Sequence, residues 1–78
     1  MRFVLTIVLG GGEGALLRAI GLIGRRGFVL RRLAACSRPN GTMQVELEGD
    51  DRGRDPDVLV RQLERLIDVV SVAREHAP

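Results

Sequence analysis

The chain has no tryptophan, no tyrosine and no lysine, and among its 78 residues there are only two Phe, one Cys and one His. Each scarcity excludes something. A sheet that reads single-stranded RNA displays aromatic rings for base stacking. Here Phe3 falls in the apolar register of the first strand and Phe28 at the start of the second, so no such platform exists. Cys36 alone cannot close an internal disulfide, has no neighbouring ligands for a structural zinc, and forms no C-x-x-C of the metal-chaperone kind; a reducing, cytoplasmic setting fits it. His76, in the last residues, has no acid or nucleophile beside it, and Cys36 has no histidine partner, so nothing composes a catalytic set. The longest opening apolar run, Phe3 to Leu9, is too short for a membrane span and is not followed by a cleavage site, so neither span nor signal peptide is read and the 78 residues are taken as the working chain. The 12 basic residues are all Arg, set against 10 acidic ones, and a net charge of +2 is a weak argument for nucleic acid.

What is present is an ordinary globular composition, 45% hydrophobic and 28% charged. A domain this small buries only about 60% of its unfolded surface, so a second chain is expected to help stabilise it.

The period of the hydrophobic pattern places six elements. Arg2 to Leu9 is β-branched and apolar and runs into Gly10-Gly11-Gly12, as a buried strand entering a loop does. From Gly14 the period changes: Leu16, Ala19, Ile20 and Ile23 share one helical face. Arg25 and Arg26 suit the negative pole of that helix, and Gly27 its left-handed exit. Phe28 to Ser37 is extended again, and a bulge at Arg31-Arg32 would bring Leu30, Leu33 and Ala35 onto one face. Arg38-Pro39-Asn40-Gly41 is a turn, and Thr42 to Glu48 alternates cleanly with Met43, Val45 and Leu47 inward. After the polar loop Gly49 to Arg54, Asp55 caps a helix that begins with Pro56 and carries the stripe Leu59, Leu63 and Leu66. A short strand, Asp68 to Arg74, ends a single domain over residues 1–74, with a tail over 75–78. The order βαββαβ is the ferredoxin-like plan of the α+β class: a four-stranded antiparallel sheet, order 4-1-3-2, with two helices on one face. Val4, Thr6 and Val8 make the other face of the first strand largely apolar too, so that face or a sheet edge is expected to meet another chain.

The segment Gly10 to Ala15 matches the G-x-G-x-x-A spelling of a dinucleotide loop, but the next strand turns into a Pro-Asn-Gly hairpin where a nucleotide domain would continue into a crossover helix. Two readings of the loop remain: a tight strand-to-helix connection, or a small-anion site made by free N–H groups at the helix start. Asp50 and Asp51 read as a solvated turn with no further metal ligands. The pairs Arg25-Arg26 and Arg31-Arg32 read as a helix cap and a solvated strand face, or as a surface for an acidic partner.

Specific segments then point to a family. Gly14-Ala15-Leu16, Arg18-Ala19-Ile20-Gly21-Leu22 and Arg26-Gly27-Phe28 follow in the order and spacing of the opening of acetohydroxyacid (acetolactate) synthase small subunits. Gln62-Leu63-Glu64-Arg65-Leu66-Ile67-Asp68-Val69 is similar to their Gln-Leu-x-Lys-Leu-Val-Asp-Val segment. The chain resembles the short, single-domain form of that family, which is built on an ACT domain. The resemblance implies a non-catalytic regulatory subunit, with no cofactor or metal of its own, for a thiamine-diphosphate-dependent catalytic large subunit. It also implies a homodimer joined through strand two, and a branched-chain amino acid held between the first loop of one copy and strand two of the other. By that implication the effector site comprises Gly11, Gly12, Gly14, Ala15, Leu16, Val29 and Leu30, with N–H groups at Gly14 and Ala15 holding the carboxylate and Leu16 or Leu30 lining the side chain. Valine-sensitive members carry Asn at the positions of Gly11 and Val29, which departs from this sequence and favours a subunit that activates or stabilises its catalytic partner without binding effector. The alternative is a free-standing ACT homodimer that senses a small amino acid.

Overall fold

In the computed structural model, which describes residues 1–75, strict alternation along β1 (Arg2–Leu9) decides where the interior lies. Phe3, Leu5, Ile7 and Leu9 are at most 3% exposed, while Val4, Thr6 and Val8 are half-buried on the other face. The remaining elements are α1 (Gly12–Arg25), β2 (Val29–Ser37), β3 (Met43–Asp50), α2 (Pro56–Glu64) and β4 (Val69–Glu75). All strand pairs are antiparallel and the sheet order is β2-β3-β1-β4, the split βαβ arrangement expected from the element order. Both helices lie on the face that carries the buried residues of β1. The core is one layer of side chains between them: Val45 and Leu47 from β3, Ala15, Ala19, Leu22 and Ile23 from α1, Leu59 and Leu63 from α2, and Phe28, whose ring meets Phe3 edge-on with centroids 5.4 Å apart.

The apolar stripe of α1 differs from the expected one. Ala15, Ala19, Leu22 and Ile23 are buried, whereas Leu16 and Ile20 are only half-buried and Leu17 is 67% exposed. The helix starts two residues earlier than the change of period suggests, and it turns two alanines toward the sheet along with Leu22 and Ile23. Methyl groups at Ala15 and Ala19 let the backbone approach, and the longer Leu16 and Ile20 spread sideways.

Elsewhere local chemistry does what it prescribes. The carbonyl of Arg38 accepts the Gly41 N–H at 3.1 Å, Gly41 takes φ +84°, and Asn40 Oδ1 accepts both the N–H (3.1 Å) and the hydroxyl (2.6 Å) of Thr42. Asp55 accepts the Asp57 N–H at 2.9 Å as N-cap of α2, with Pro56 in the first turn. Leu59 and Leu63 are fully buried, and Leu66, just past the helix, packs against the core. The pairing of β2 with β3 shifts between Leu30 and Arg32, which is the bulge the sequence demands. It sets Leu33 opposite Leu47 and Ala35 opposite Val45. Ala35 is nevertheless exposed, because β2 is the outermost strand and cover thins toward the edge. β4 continues to Glu75, one residue past the expected limit; His76 lies outside the described residues. No helix among the described residues is long and apolar enough to cross a membrane.

Gly49 is the tightest point of the sheet. A Cβ there would stand 2.7 Å from Phe3 Cζ and 2.8 Å from the Val29 carbonyl oxygen. Gly49→Ala should therefore destabilise the domain by about 1–3 kcal/mol through overpacking. Chemical denaturation checks this, and an unchanged midpoint would contradict the packing described.

Candidate functional site

The β1–α1 connection is built from glycine because its backbone turns left-handed twice, at Gly11 (φ +76°) and Gly12 (φ +65°). Gly11 is the N-cap of α1, and no side chain caps the helix. The first N–H groups of α1 are therefore left for solvent or a ligand. Gly10 N–H donates to the Asp68 carbonyl at 2.8 Å, tying the loop to the entry of β4. The Asp68 side chain bonds Arg18 on α1, and its carboxylate stands beside Gly11: a Cβ on that glycine would lie 2.9 Å from Asp68 Cγ. Gly12 has open space around it, and the position of a Cβ on Gly14 lies 3.4 Å from Arg18 Nη1. An anion at this helix pole would thus be flanked by one resident carboxylate and one guanidinium that are paired with each other.

The seven residues implied by the family resemblance divide into two groups within one chain. Gly11, Gly12, Gly14, Ala15 and Leu16 lie together at the start of α1. The Ala15 methyl is buried and Leu16 packs on the core, so the loop offers backbone groups more than side chains. Val29 and Leu30 pair with Asp50 and Gly49, which face Arg2 and Phe3 at the beginning of β1. Gly11 follows the end of β1, and a strand of eight residues spans about 25 Å, so one chain does not bring the two groups together.

Arg18 and Asp68 are the functional-site residues that pattern reading misses. Each sits in a segment that carries the family resemblance, but a contact between residues fifty positions apart leaves no periodic trace. Asp50 and Asp51 serve the turn, as expected: their Oδ1 atoms accept the N–H groups of Arg52 and Gly53, each at 2.9 Å. The Arg52 N–H holds the Asp50 carboxyl below the usual carboxylate range. Cys36 is exposed on the edge strand.

The helix-free face carries Val4, Thr6 and Val8 in its middle, bordered by charge. Arg2 pairs with Glu48 at 2.9 Å, and Val4, Arg32, Ala34, Glu46 and Glu48 line a depression of about 220 Å³. This is a mixed surface and not a continuous apolar patch.

Comparison with known proteins agrees with this geometry. Over 76 residues the chain is 32% identical to the small subunit of acetolactate synthase isozyme 3 of Escherichia coli (strain K12), and equally to that of Salmonella typhimurium; the match covers 94% of this chain and 45% of each relative. The chain therefore spans about half the length of the curated relatives it matches. Among solved structures, the acetolactate synthase small subunit of Thermotoga maritima is similar with a TM-score of 0.81 at 17% identity, covering 95% of this chain and 47% of that one. The ACT domain from the GTP pyrophosphokinase of Chlorobium tepidum has a TM-score of 0.76 at 18% identity, covering 96% and 97%. At those identities the likeness is one of fold. The sequence profile of the ACT domain matches residues 12–72, from the first turn of α1 into β4, and the chain belongs to the ACT domain family.

Proposed function

We propose that this chain is a regulatory, non-catalytic small subunit that binds the catalytic large subunit of acetolactate synthase and activates or stabilises it, in branched-chain amino-acid biosynthesis. The observation that carries this reading is the similarity to acetolactate synthase small subunits along nearly the whole chain. The fold adds physical support. A one-layer core leaves β2, nine residues long, as an unprotected edge with Leu30 and Leu33 half-buried and Ala35 exposed, which is surface suited to a second polypeptide.

In this reading the first contact is a homodimer through β2. An antiparallel pairing of two β2 strands about a twofold axis carries the partner's Val29–Leu30 end toward the end of the sheet where Gly11 and Gly12 lie. That arrangement alone could join the two halves of the effector site. The uncapped N–H groups of α1 would then receive a carboxylate. Gly11 and Val29, however, bring no polar side chain to hold an ammonium or fix orientation. Activation by contact is accordingly favoured over amino-acid sensing, and the free-standing sensor remains the second reading, supported by those uncapped N–H groups.

Three outcomes test this. Co-expressed with an acetolactate synthase large subunit, the chain should co-purify with it and raise its rate or its thermal midpoint; a large subunit unchanged in both respects, with no complex, would refute the assignment. Ala35→Glu should shift sedimentation from dimer toward monomer while circular dichroism stays native, since a β2 pairing would have to take the new carboxylate of each copy out of water at the seam. Calorimetric titration with valine should give no heat for the natural chain. The pair Gly11→Asn with Val29→Asn should gain measurable binding, because Asn tolerates left-handed backbone and the Asp68 carboxylate can swing aside. Binding of valine by the unmodified chain would favour the sensor reading.

A further inference from the structure

The face of the sheet that no helix covers is ordered in rows that the strand register fixes. In the first row Val4 pairs with Glu48 and Glu75, and Glu48 with Arg32. In the second Thr6 pairs with Glu46 and Ala73, and Glu46 with Ala34. In the third Val8 pairs with Gln44 and Ser71, and Gln44 with Cys36. Alternation puts these side chains on the helix-free face, since Leu5, Ile7, Val45 and Leu47 between them are buried in the core. Arg32 stands at the β2 end of the first row and Glu75 at the β4 end, both exposed, and neither has an ion-pair partner among the described residues. The other rows end in Ala34 and Ala73, and in Cys36 and Ser71, all small and all exposed. The face therefore has a half-buried middle of Val4, Thr6 and Val8, low margins that let a flat partner approach, and opposite charges at two of its corners.

We propose that this face packs against the same face of a second copy, sheet on sheet, about a twofold axis parallel to the strands and midway between β1 and β3. Such an axis exchanges β2 with β4 and β1 with β3 and keeps each row opposite itself, an isologous contact. Arg32 then lies over the partner's Glu75, and Glu75 over the partner's Arg32. Ala34 meets the partner's Ala73, and Cys36 the partner's Ser71. Glu46 meets the partner's Thr6, whose hydroxyl can donate to it. No like charges oppose one another, because Glu48 faces the partner's Val4. Aligned sheets pack about 10 Å apart with strand directions within about 30° of each other, a gap that an arginine and a glutamate reaching from opposite sides can close. The other in-plane axis, across the strands, would set Arg32 over Cys36 and Glu75 over Ser71, withdrawing both charges from water unpaired.

Four strands give a face about 19 Å wide and about 25 Å long, so the pair covers about 1,000 Å² in all, at the lower limit for a specific interface. Association through this face is accordingly weak and visible at high protein concentration. A second copy is favoured over an unrelated chain because the face supplies both halves of its own charge pattern. The contact leaves the β2 edge free, so it stands independently of β2 pairing and of the catalytic partner.

The test is sedimentation velocity of the full chain over a concentration series at low salt, with the ¹⁵N amide spectrum followed over the same range. A concentration-dependent step beyond the β2 pair is expected, and Ala35→Glu, with its edge blocked, should still pass from monomer to pair. Amides of β1 and β4 around Thr6 and Ala73 should shift with that step. Arg32→Glu and Glu75→Arg should each weaken it by about tenfold or more, because like charges then face one another across the contact. The two substitutions combined in one chain should restore most of it, and circular dichroism verifies the fold of each variant. Absence of β2 pairing would make the natural chain and Ala35→Glu behave alike without removing this step. No concentration-dependent step, shifts confined to β2 or to the helices, undiminished association of both single variants, or a double variant no better than the singles would each overturn the proposal.

Discussion

A sheet of four strands has two faces, and the two helices of this domain cover only one. The constraint is set by β1, whose alternate residues Phe3, Leu5, Ile7 and Leu9 must be kept dry by two short helices of 14 and nine residues. Val45, Leu47, Ala15, Ala19, Ile23, Leu59 and Leu63 join those four in the buried core, and the β1 residues one position out of phase, Val4, Thr6 and Val8, are left half-covered. The same constraint produces an edge strand, β2, whose core-register residues emerge progressively from cover: Leu47 opposite Leu33 is buried, Leu33 is half-buried, and Ala35 is exposed although Val45 opposite it is fully buried. Domains of this size commonly complete their cover with another chain, and here the incomplete side is already in strand geometry.

Much of this was legible because the signals were local. The Pro-Asn-Gly turn, the Asp55 cap with Pro56, the alternation of Met43 to Leu47 and the broken alternation at Arg31 each follow from backbone preferences of residues adjacent in sequence, and each appears where those preferences put it. The α1 stripe is legible in part: Ala19 and Ile23 are buried as the spacing expects, Leu16 and Ile20 are only half-buried, and Ala15 and Leu22 complete the buried face, because an alanine methyl facing the core stays dry where a longer side chain at the margin does not. The loop site was legible only in part. Its glycines are visible, but the Asp68 carboxylate that stands beside Gly11 comes from the far end of the chain and leaves no trace in the loop sequence. The depression beside α2 was invisible for the same reason: Arg26 and Gln62, which both line it, are 36 positions apart and come near each other only once both helices have docked.

The two poles of the molecule are chemically different, and the difference follows from how each connection is made. At the Gly11 pole the charges are matched, Arg18 with Asp68, leaving backbone N–H groups as the main polar offering. Such a site selects an anion weakly and needs side chains from elsewhere to choose among anions. At the Arg26 pole the guanidiniums of Arg26 and Arg54 have no ion-pair partner among the described residues.

This division bears on how a small ACT domain could influence a large neighbour. In the proposed dimer, a ligand bridging two copies at the Gly11 pole would stabilise the pair by linkage, since it would bind the assembled pair and not the separated chains, and its effect would depend on protein concentration. α1 links the two poles: its N-terminal turn forms the loop site, its C-cap is Arg26, and Ala15, Ala19, Leu22 and Ile23 between them are buried against the core.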